Sequence, residues 1–535
     1  MAKKAQAEGQ RELFDPAHAA VKMAAVPEVE TAYHAASYNA KDMASWTPWR
    51  VSPDAALLPE LDTIVARSDD LTRNNGIAAG AERTLVDNVV GPKISCKPNP
   101  DRITLRRDAE WASKWSAIVE AKFATFADTV WFDAGDRHTF HSASRLVLRT
   151  LSSAGEALAL PLWDIGNQSK WKTCFQLVDP ARLSNPDGKS DSTDLRGGIE
   201  VDAYGAPRAY NIRKTHPGDY IAGVFGGNEW ERIPAYTPFG RARVLHIFDQ
   251  ERIGLTRGKP IITAVARQFK MFDGYLREEL RLAVLNAMIF ATLETPLDQQ
   301  TMLQLFGGEE GGPINQDLIN QAKEYRVQMK GGAIIPTPPG TKMNPFIPSR
   351  PANGLDSFST VMLRYIAAGL NLPYELVFKD YSKTNYSSAR AAMLEAWRYF
   401  LGLRQMLADF WWGPVFDLWF EEAVNRGEIP DCTPSQYYGN RVAWTRCKWI
   451  CAGRGWVDPV KEAEAAQIRI EAGLSTLEDE CAEQGKDWRN VLDQQAREFA
   501  MRRELGLPQP AAAARSGRYP SDREDETSRE EESAA

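Results

Sequence analysis

Gly254, Gly258 and Lys259 are the first residues whose types and spacing could support chemistry, because a glycine-rich turn ending in Lys can cradle a phosphate group. A phosphate-binding loop has four residues between its glycines, and a Ser or Thr after its Lys reaches the magnesium ion. Here three residues separate the glycines and Pro260 follows the Lys. Pro is common at the first turn of a helix. The stretch therefore predicts a turn that leads into a helix, and no nucleotide site.

His138 and His141, with Asp133 and Asp136 close by, form the one cluster of histidines and acidic residues that could bind a metal ion. A catalytic zinc site commonly has three protein ligands, two of which an HExxH helix can supply. That spacing is absent, so a third ligand would have to come from elsewhere in the chain. A solvated helix start is the simpler interpretation.

Cys447 and Cys451 are separated by three residues, and no second closely spaced Cys pair completes a zinc knuckle. We therefore expect buried free thiols at these positions. The chain also has no Gly-x-Ser-x-Gly elbow, which leaves a serine hydrolase of that type unsupported. The sequence accordingly predicts no catalytic residue, no metal and no cofactor.

A polar loop is the remaining candidate, and it holds Lys379, Tyr381, Lys383, Asn385 and Tyr386. Lysine charges and polar side chains can contact the phosphate backbone of a nucleic acid without reading its base sequence. An ordinary surface loop is the alternative, because connecting segments generally run over the surface. The helix that follows determines how firmly this loop can be held.

That helix has an apolar stripe at steps of three, four or seven residues, as a buried helical face requires. The stripe consists of Met393, Trp397, Phe400, Leu401, Leu407, Trp411, Val415 and Leu418. We expect Ser387 or Ser388 to cap the start of the helix. From Met406 onward the sequence is apolar nearly all round, which predicts burial on most sides. Gly413–Pro414 should kink or interrupt the helix, because Pro lacks an N–H group and clashes one turn back.

Similar periodicities predict the other elements of a mainly helical α+β fold. The predicted helices span 46–91, 111–132, 141–151, 261–293 and 355–370, with three more between 458 and 505. The predicted strands span 171–178, 198–202, 208–213 and 243–248, with Gly205 and Pro207 in a hairpin turn. We expect helix caps near Ser142 and at Asp458, and a capping box from Ser475 to Glu478.

Length and composition limit the class of protein. A chain of 535 residues should hold two or more domains. A net charge of −7 and a pI of about 5.7 disfavour a dedicated duplex-binding protein, for which a basic face is expected. Six scattered cysteines indicate a reducing compartment. Because no run of 18 or more apolar residues occurs, we predict neither a membrane span nor secretion.

Several long stretches along the chain follow the order of one known family. They are RSDDLTRNNGIAAGAERTLVDNVVG, GIEVDAYGAPRAYNI, THPGD, RVLHIF, RGKP, LNLPYELVFKDYSKTNYSSARAAMLEAWR and GWVDPVKEAEAAQIRIEAGLSTLEDECAEQGKDW. Together they resemble the lambda-type portal proteins of tailed phages, over about residues 45–505. Only the two tails lie outside the resemblance.

The resemblance implies a non-enzymatic ring, usually of twelve subunits, at one vertex of the capsid. Double-stranded DNA would enter and leave through it during packaging and ejection, without regard to base sequence. The expected partners are the large terminase subunit, the major capsid and scaffold proteins and the tail-completion proteins, with no membrane contact. The expected locations are the virion and, during assembly, the host cytoplasm.

The resemblance also implies a division of the chain according to the portal fold. The divisions are a mobile N-terminal arm (1–40), a wing of helices and antiparallel strands (41–258), a stem helix (259–295), a clip (296–352), a returning stem helix (353–373), a tunnel loop (374–388), a tunnel helix and wing return (389–456), a helical crown (457–507) and a disordered tail (508–535). The polar loop would contact DNA in the channel. In the clip, Asp317, Lys323, Glu324 and Arg326 would face the terminase.

Two other classes of protein remain as alternatives. One is a different head–tail adaptor, although adaptors lack so long a chain with a stem and an insert. The other is a nuclease or ATPase of the packaging apparatus, which would need clustered carboxylates or a phosphate-binding loop.

Net charge agrees with a conduit for DNA. Twelve copies at −7 each would carry −84. Every phosphate that a Lys or Arg neutralises adds affinity, which would slow the sliding of DNA. We therefore expect an acidic channel with a few basic contacts at the tunnel loop.

Overall fold

The structure is a computed structural model. It describes residues 35, 43, 45–164, 166, 168–221, 229–288, 291–294, 342–345, 355–382, 385–455 and 458–507. The chain divides into a short N-terminal unit, Met1–Ala56, and a main unit, Leu57–Ala535, which contains the features described below.

Helices make up most of the described chain. They are α1 (Pro53–Leu57), α2 (Leu61–Asn74), α3 (Gly76–Val89), α4 (Ala109–Ala127), α5 (Phe140–Ala154), α6 (Pro217–Ile221), α7 (Ala266–Met288), α8 (Leu355–Gly369), α9 (Tyr374–Phe378), α10 (Tyr386–Leu407), α11 (Gly413–Asn425), α12 (Pro434–Gly439), α13 (Arg441–Thr445), α14 (Pro459–Glu471), α15 (Leu477–Glu483) and α16 (Trp488–Glu504). Short 3-10 turns occur at Val130–Phe132, Pro180–Arg182, Pro186–Gly188 and Ile261–Val265.

Within the described chain the strands pair with one another in antiparallel fashion, and an isolated parallel bridge joins Asp133 to Phe175. They are β1 (Ser95–Pro98), β2 (Glu156–Trp163), β3 (Thr173–Val178), β4 (Leu195–Arg196), β5 (Ile199–Val201), β6 (Pro207–Arg213), β7 (Trp230–Pro234), β8 (Leu245–Phe248), β9 (Ala291–Glu294), β10 (Lys342–Pro345) and β11 (Cys447–Ile450). Their sheets have the orders β3-β2-β8, β4-β5-β6-β7, β1-β11 and β10-β9. The mainly helical α+β class predicted from the sequence is confirmed.

The main apolar core is unusually aromatic and centres on α11 and the residues just before it. Its fully buried members include Trp411, Trp412, Phe416 and Trp419. Both indole N–H groups of Trp411 and Trp412 donate to the hydroxyl of Ser144 in α5, at 3.0 and 3.2 Å. The predicted burial of this helix on most sides is confirmed. A second apolar cluster joins the three-stranded and four-stranded sheets.

Glu156 is a fully buried carboxylate at the start of β2. Nε of Arg257 donates to it at 2.7 Å, and the backbone N–H of Gly258 donates at 3.1 Å. Nε2 of His246, in β8, lies 2.9 Å from Oε2 of Glu156, the same oxygen that accepts from Gly258. Burial alone would raise the pKa of Glu156, but Arg257 and His246 outweigh that effect and lower the pKa to about 2. The carboxylate therefore stays ionised and fixes the residues that precede α7.

Arg257 uses its remaining N–H groups on backbone carbonyls. The acceptors are the carbonyl oxygens of Pro180, Leu183 and Gly197. A buried guanidinium is tolerated only when its charge and its donors are satisfied. This one side chain thus connects the turn after β3, the loop before β5 and the entry to α7.

Gly258, which the sequence offered as part of a phosphate loop, has a packing role. A Cβ at Gly258 would overlap the carbonyl oxygen of Gly155, and a Cβ at Gly155 would overlap the backbone of Lys259. Gly155 also has φ +87°, in the left-handed region that favours glycine. Lys259 pairs with Glu251 at 2.7 Å. The predicted turn into a helix is confirmed.

The predicted helix over 261–293 is wrong at both ends. Ile261–Val265 is a 3-10 turn, α7 ends at Met288, and Ala291–Glu294 forms β9. Strand β9 pairs with β10, some fifty residues further along the chain. Such a pairing leaves no local signal, because a strand's partner is set by the tertiary fold. With 23 residues, α7 is about 35 Å long, whereas a helix over the whole predicted span 261–293 would be ~50 Å long.

Other predicted boundaries and caps also shift. The segment predicted as helical over 46–91 consists of three helices, of which the first begins at Pro53. Seven of the strands were not predicted: β1, β2, β4, β7, β9, β10 and β11. The cap near Ser142 is Thr139, whose hydroxyl accepts from the Ser142 N–H. The capping box predicted from Ser475 to Glu478 does not form; the cap of α15 is Thr476, whose hydroxyl accepts from the Asp479 N–H at 3.2 Å. Asp458 does cap α14. Neighbouring Ser, Thr and Asp side chains can each cap a helix, and the backbone conformation of the loop determines which of them does so.

Replacing Arg257 by Met should destabilise the chain severely, because Glu156 would remain buried without its charged partner. The loss expected for breaking a buried pair is about 3–5 kcal/mol. The matched control is Arg232→Ala, which removes an exposed pair with Glu200 and should cost less than ~1 kcal/mol. Denaturant unfolding of the two variants checks this, and similar losses in both would contradict it.

Candidate functional site

The polar loop begins where α9 ends. Lys379 has φ +56°, a left-handed conformation that is uncommon for residues other than glycine but frequent just after a helix. Its side chain is exposed, and Tyr381 is 50% exposed. The backbone therefore turns sharply at Lys379 and presents a cation and an aromatic ring to solvent.

Asp380 ties the loop back to α9. One of its carboxylate oxygens accepts from the backbone N–H of Ser382 at 3.0 Å and from the Ser382 hydroxyl at 2.6 Å. The other accepts from the phenol of Tyr374, in the first turn of α9, at 3.2 Å. An Asp that bonds two residues ahead makes a compact Asx turn. The first half of the loop is thus an ordered turn.

Asn385 closes the loop and caps α10. Its side-chain oxygen accepts from the backbone N–H of Ser388 at 2.8 Å, satisfying one of the unpaired amides at the helix start. The predicted cap at Ser387 or Ser388 is therefore wrong by two or three residues. Ser388 is instead the partner, and its hydroxyl also lies 2.7 Å from the Asn385 side-chain oxygen.

Five predicted contact residues lie outside the described residues: Lys383, Asp317, Lys323, Glu324 and Arg326. The side chain of Tyr386 lies outside them as well. Of the predicted loop residues, Lys379, Tyr381 and Asn385 belong to the described chain, and they lie within seven consecutive positions of the sequence.

Arg404 anchors the far part of α10, and sequence patterning did not single it out. Its guanidinium donates to the carbonyl oxygens of Asn88, Val89 and Ala452 at 2.6–2.8 Å. It also lies over the ring of Trp397, 4.6 Å from the centroid. Asn88 and Val89 end α3, where unpaired carbonyls attract a cation. Burial lowers the pKa of Arg404.

A π-helical bulge at Ala408–Trp412 joins α10 to α11. The N–H of Gly413 reaches back five residues to the carbonyl of Ala408, and a Cβ at Gly413 would crowd that oxygen. The wider turn lets Pro414 follow without ending the helix. The interruption predicted at Gly413–Pro414 takes the form of one π-helical turn just before these residues, and the helix does not end there. The helical rod therefore continues from the loop into the aromatic core.

Glu422 fixes the core end of this rod. Its carboxylate is buried and accepts from the backbone N–H groups of Lys172 and Thr173, each at 2.8 Å, at the start of β3. Arg426 lies 2.9 Å from the same carboxylate, one turn later. Helix α10 has 22 residues and is about 33 Å long, so the loop is held well away from this anchor.

The two predicted alternatives for metal chemistry have structural explanations. His141 accepts the Ile94 N–H at 3.2 Å, and its Nε2 lies 2.8 Å from Asp128. Burial lowers the pKa of His141 despite that carboxylate. Cys451 is buried, and Cys447 Sγ lies 3.6 Å from Cys96 Sγ. No group of three metal-binding side chains occurs in the described chain.

One further finding concerns membranes. Within the residues that the structure covers, no helix has the length and apolar character needed to span a bilayer.

Comparison with known proteins identifies the class to which this fold and loop belong. The profile of phage portal proteins of the lambda family matches residues 39–404. Portal protein B of Escherichia phage lambda is 35% identical over 482 residues, covering 88% of this chain and 89% of that protein. The portal protein of Escherichia phage N15 is 34% identical over 480 residues, covering 88% and 90%.

The chain belongs to the lambda family of phage portal proteins. Portal proteins are structural, so the chain is a structural protein and not an enzyme. Among solved structures, the neck of an empty gene transfer agent particle is similar with a TM-score of 0.44 at 12% identity, covering 83% of this chain and 94% of that one. A portal protein of the HK97 family from Corynebacterium diphtheriae gives a TM-score of 0.32 at 13% identity, covering 75% and 98%.

Replacing Asn385 by Ala should fray the first turn of α10, because the Ser388 N–H loses its acceptor. The expected cost is about 1 kcal/mol. Hydrogen exchange should accelerate in residues 386–389, while Asn385→Asp should keep the cap and the wild-type rates. Unchanged exchange in the Ala variant would show that the cap does not hold this end of the loop.

Proposed function

We propose that this portal protein forms a closed ring at one capsid vertex and that DNA passes through the ring during packaging and ejection. The observation that carries the proposal is family membership over most of the chain, which spans 89% of portal protein B of phage lambda. The alternative of a packaging ATPase is disfavoured, because Gly258 packs against Gly155 instead of cradling a phosphate.

The helices α7 and α8 support a stem that projects from a wing. They run antiparallel, since Gly369 approaches Val265 while the rings of Tyr275 and Phe358 lie 5.0 Å apart. Beyond them, β9 and β10 pair across the segment that we propose as the clip. In this proposal 41–258 is wing, 259–295 and 353–373 are stem, 296–352 is clip, 374–388 is tunnel loop, 389–456 is tunnel helix and wing return, and 457–507 is crown.

Exposed apolar side chains on the two stem helices favour assembly. Each helix has large apolar residues on successive turns that stay between 41% and 66% exposed in the single chain. They are Leu276, Leu280 and Val284 on α7, and Phe358, Val361 and Tyr365 on α8. Contiguous exposed apolar surface of this kind marks a protein interface. Neighbouring copies in a ring would cover it.

The net charge of the chain favours a channel through which DNA slides over a protein that binds DNA tightly. The chain has a net charge of −7, so a ring of twelve would carry −84 and would bind a polyanion weakly overall. We propose that Lys379 and Lys383, with Tyr381, Asn385 and Tyr386, make the few contacts with passing DNA. Their position at the end of an anchored rod supports brief, sequence-independent contact.

The remaining partners follow from the family alone. We propose that Asp317, Lys323, Glu324 and Arg326 face the large terminase subunit, and that tail-completion proteins later use the same clip. Major capsid and scaffold proteins would hold the ring at its vertex. The protein would assemble in the host cytoplasm and remain in the virion.

Ring formation tests the proposal directly. Purified chain should form closed rings whose mass is a multiple of 59.7 kDa, twelve being expected, as seen by mass photometry and negative-stain imaging. Leu280→Asp should reduce the ring population, because it places a charge on the exposed stem stripe. Glu278→Asp, an exposed conservative change on the same helix, should not. A chain that stays monomeric even with scaffold protein would contradict the proposal.

The tunnel loop has its own test in the double variant Lys379→Ala/Lys383→Ala. Rings should still assemble, but packaged or retained DNA per particle should fall, because the basic contacts are gone. The control is Lys379→Arg/Lys383→Arg, which keeps both charges and the same Cβ at the left-handed position. Nuclease-protected DNA per capsid measures the effect. Wild-type DNA content in the Ala variant would remove the role proposed for the loop.

A further inference from the structure

Cys96 and Cys447 are in contact across the two-stranded sheet of β1 and β11, which we call the β1–β11 ribbon. Cys96 lies opposite Trp449 and Cys447 lies opposite Pro98, although the two strands are some 350 residues apart in the chain. Because alternate residues of a strand point to the same face, both thiols lie on one face of the ribbon. Their Sγ atoms are 3.6 Å apart, and both cysteines are free. The pair is therefore placed as the reduced form of a dithiol–disulfide couple.

The other face of the ribbon holds the C-terminal helices. Lys97 and Lys448 lie directly opposite each other there, and like charges in such positions destabilise a strand pair. Lys97 contacts the carboxylates of Glu120 and Asp487, and Lys448 pairs with Glu478 at 2.6 Å. Asp487 caps α16, and Glu478 lies in the first turn of α15. The position of α15 and α16 thus depends on a ribbon whose two lysines repel each other.

The ribbon is also short. Each of its strands has four residues, and together they form a sheet of two strands. A two-stranded sheet is marginally stable by itself. Pro98 has no N–H group and donates no hydrogen bond to the other strand. A covalent bond between the strands would accordingly change how firmly α15 and α16 are held.

The two thiols differ in their access to solvent. Cys96 is 5% exposed, and burial raises the pKa of its thiol well above its usual value. Cys447 is half-buried. The thiolate is the form of cysteine that attacks a disulfide. A small disulfide in solvent would therefore react first at Cys447, and Cys96 would react afterwards with the Sγ atom beside it.

Forming a bond between these sulfur atoms needs a small movement. The two sulfur atoms of a disulfide are about 2.0 Å apart, compared with 3.6 Å here. Diagonal neighbours on antiparallel strands have Cα atoms about 7–8 Å apart, slightly beyond the usual range for a disulfide of about 4.4–6.8 Å. The strands must therefore draw together by about 1 Å, which a short ribbon of two strands allows. A disulfide formed in this way is readily reduced, which suits a reversible link.

We propose that Cys96 and Cys447 are a redox-switched pair, which stays as two thiols in reducing surroundings and forms a disulfide when a small disulfide serves as oxidant. The disulfide locks the β1–β11 ribbon and thereby holds α15 and α16 in place. A reducing compartment keeps the link open. The proposal concerns the folded chain itself and does not depend on a ring.

Atoms and electrons balance over two exchange steps. The thiolate of Cys447 attacks one sulfur of the oxidant, for example oxidised glutathione, and the mixed disulfide forms as one glutathione thiolate leaves. The sulfur of Cys96 then attacks Sγ of Cys447 and displaces the second glutathione thiolate. The two thiol protons of the protein pass through solvent to the released glutathione. The protein dithiol is thus oxidised by two electrons, and oxidised glutathione is reduced to two thiols.

Treatment of the native full chain with oxidised glutathione tests this pairing. After the remaining thiols are alkylated, a digest without reductant should contain a linked peptide that joins Cys96 to Cys447, and dithiothreitol should remove that link. Hydrogen–deuterium exchange of the oxidised chain should be slower by about tenfold at the amides of 95–97, 447–450 and 477–504, because the locked ribbon opens less often.

Matched cysteine variants assign the effect to this pair. Cys447→Ser should show neither the link nor the slower exchange. The control is Cys481→Ser, which removes a half-buried thiol of α15 and should keep both effects. If Cys447→Ser does not fold, the comparison of the oxidised wild-type chain with the same chain after dithiothreitol still decides.

Three results would overturn the pairing: glutathione that stays on Cys447 as a mixed disulfide, a linked peptide between other cysteines, or a link that forms only in denaturant. A link between Cys96 and Cys447 with unchanged exchange in α15 and α16 would overturn the locking of these helices. Failure of the chain to form rings would contradict the proposed function and would leave the expected link and its slower exchange unchanged.

Discussion

One buried ion pair, between Glu156 and Arg257, joins the parts of this chain that must stay in register. The carboxylate lies at the start of β2, and the guanidinium lies in the connection that leads into α7. Because both charges are removed from water, each requires the other and the surrounding hydrogen bonds. The close approach of Gly155 to Gly258 depends on the same arrangement. The direction in which α7 leaves the sheets is thus set at this one position.

A second constraint runs from the aromatic core to the polar loop. Glu422 fixes the inner end of α11 to β3, and Arg404 fixes α10 to the end of α3. Between them, the bulge at Ala408–Trp412 absorbs Gly413–Pro414 without breaking the rod. A rod held at two places can support a loop at its free end. This support keeps the polar loop at a constant position relative to the aromatic core.

Much of the apolar surface of the chain makes sense only in an assembly. The helices α7 and α8 and the C-terminal helices leave large apolar side chains in solvent, and residues 41–258 do so as well, with Trp49, Tyr204, Phe239 and Ile253 each at least 89% exposed. A folded monomer rarely exposes contiguous apolar area on this scale without a partner. Exposed apolar side chains are therefore distributed over several parts of the single chain.

The sequence by itself determined the features that depend on local pattern. Periodicity predicted α8, α11 and the hairpin of β5 and β6, composition singled out the polar loop, and long motifs indicated the portal family. All of these are written in residues close together along the chain. Asp458 was predicted as a cap for the same reason, because a helix cap and its amide are neighbours.

Only the tertiary structure decided the features whose partners are distant. Strands β1 and β11 pair across some 350 residues, and β9 with β10 across some fifty. Arg404 is satisfied by backbone carbonyls, which every residue possesses, so no side-chain pattern could reveal it. The choice of Asn385 over Ser387 or Ser388 as the cap came from the backbone of the loop, since all three side chains could accept the hydrogen bond.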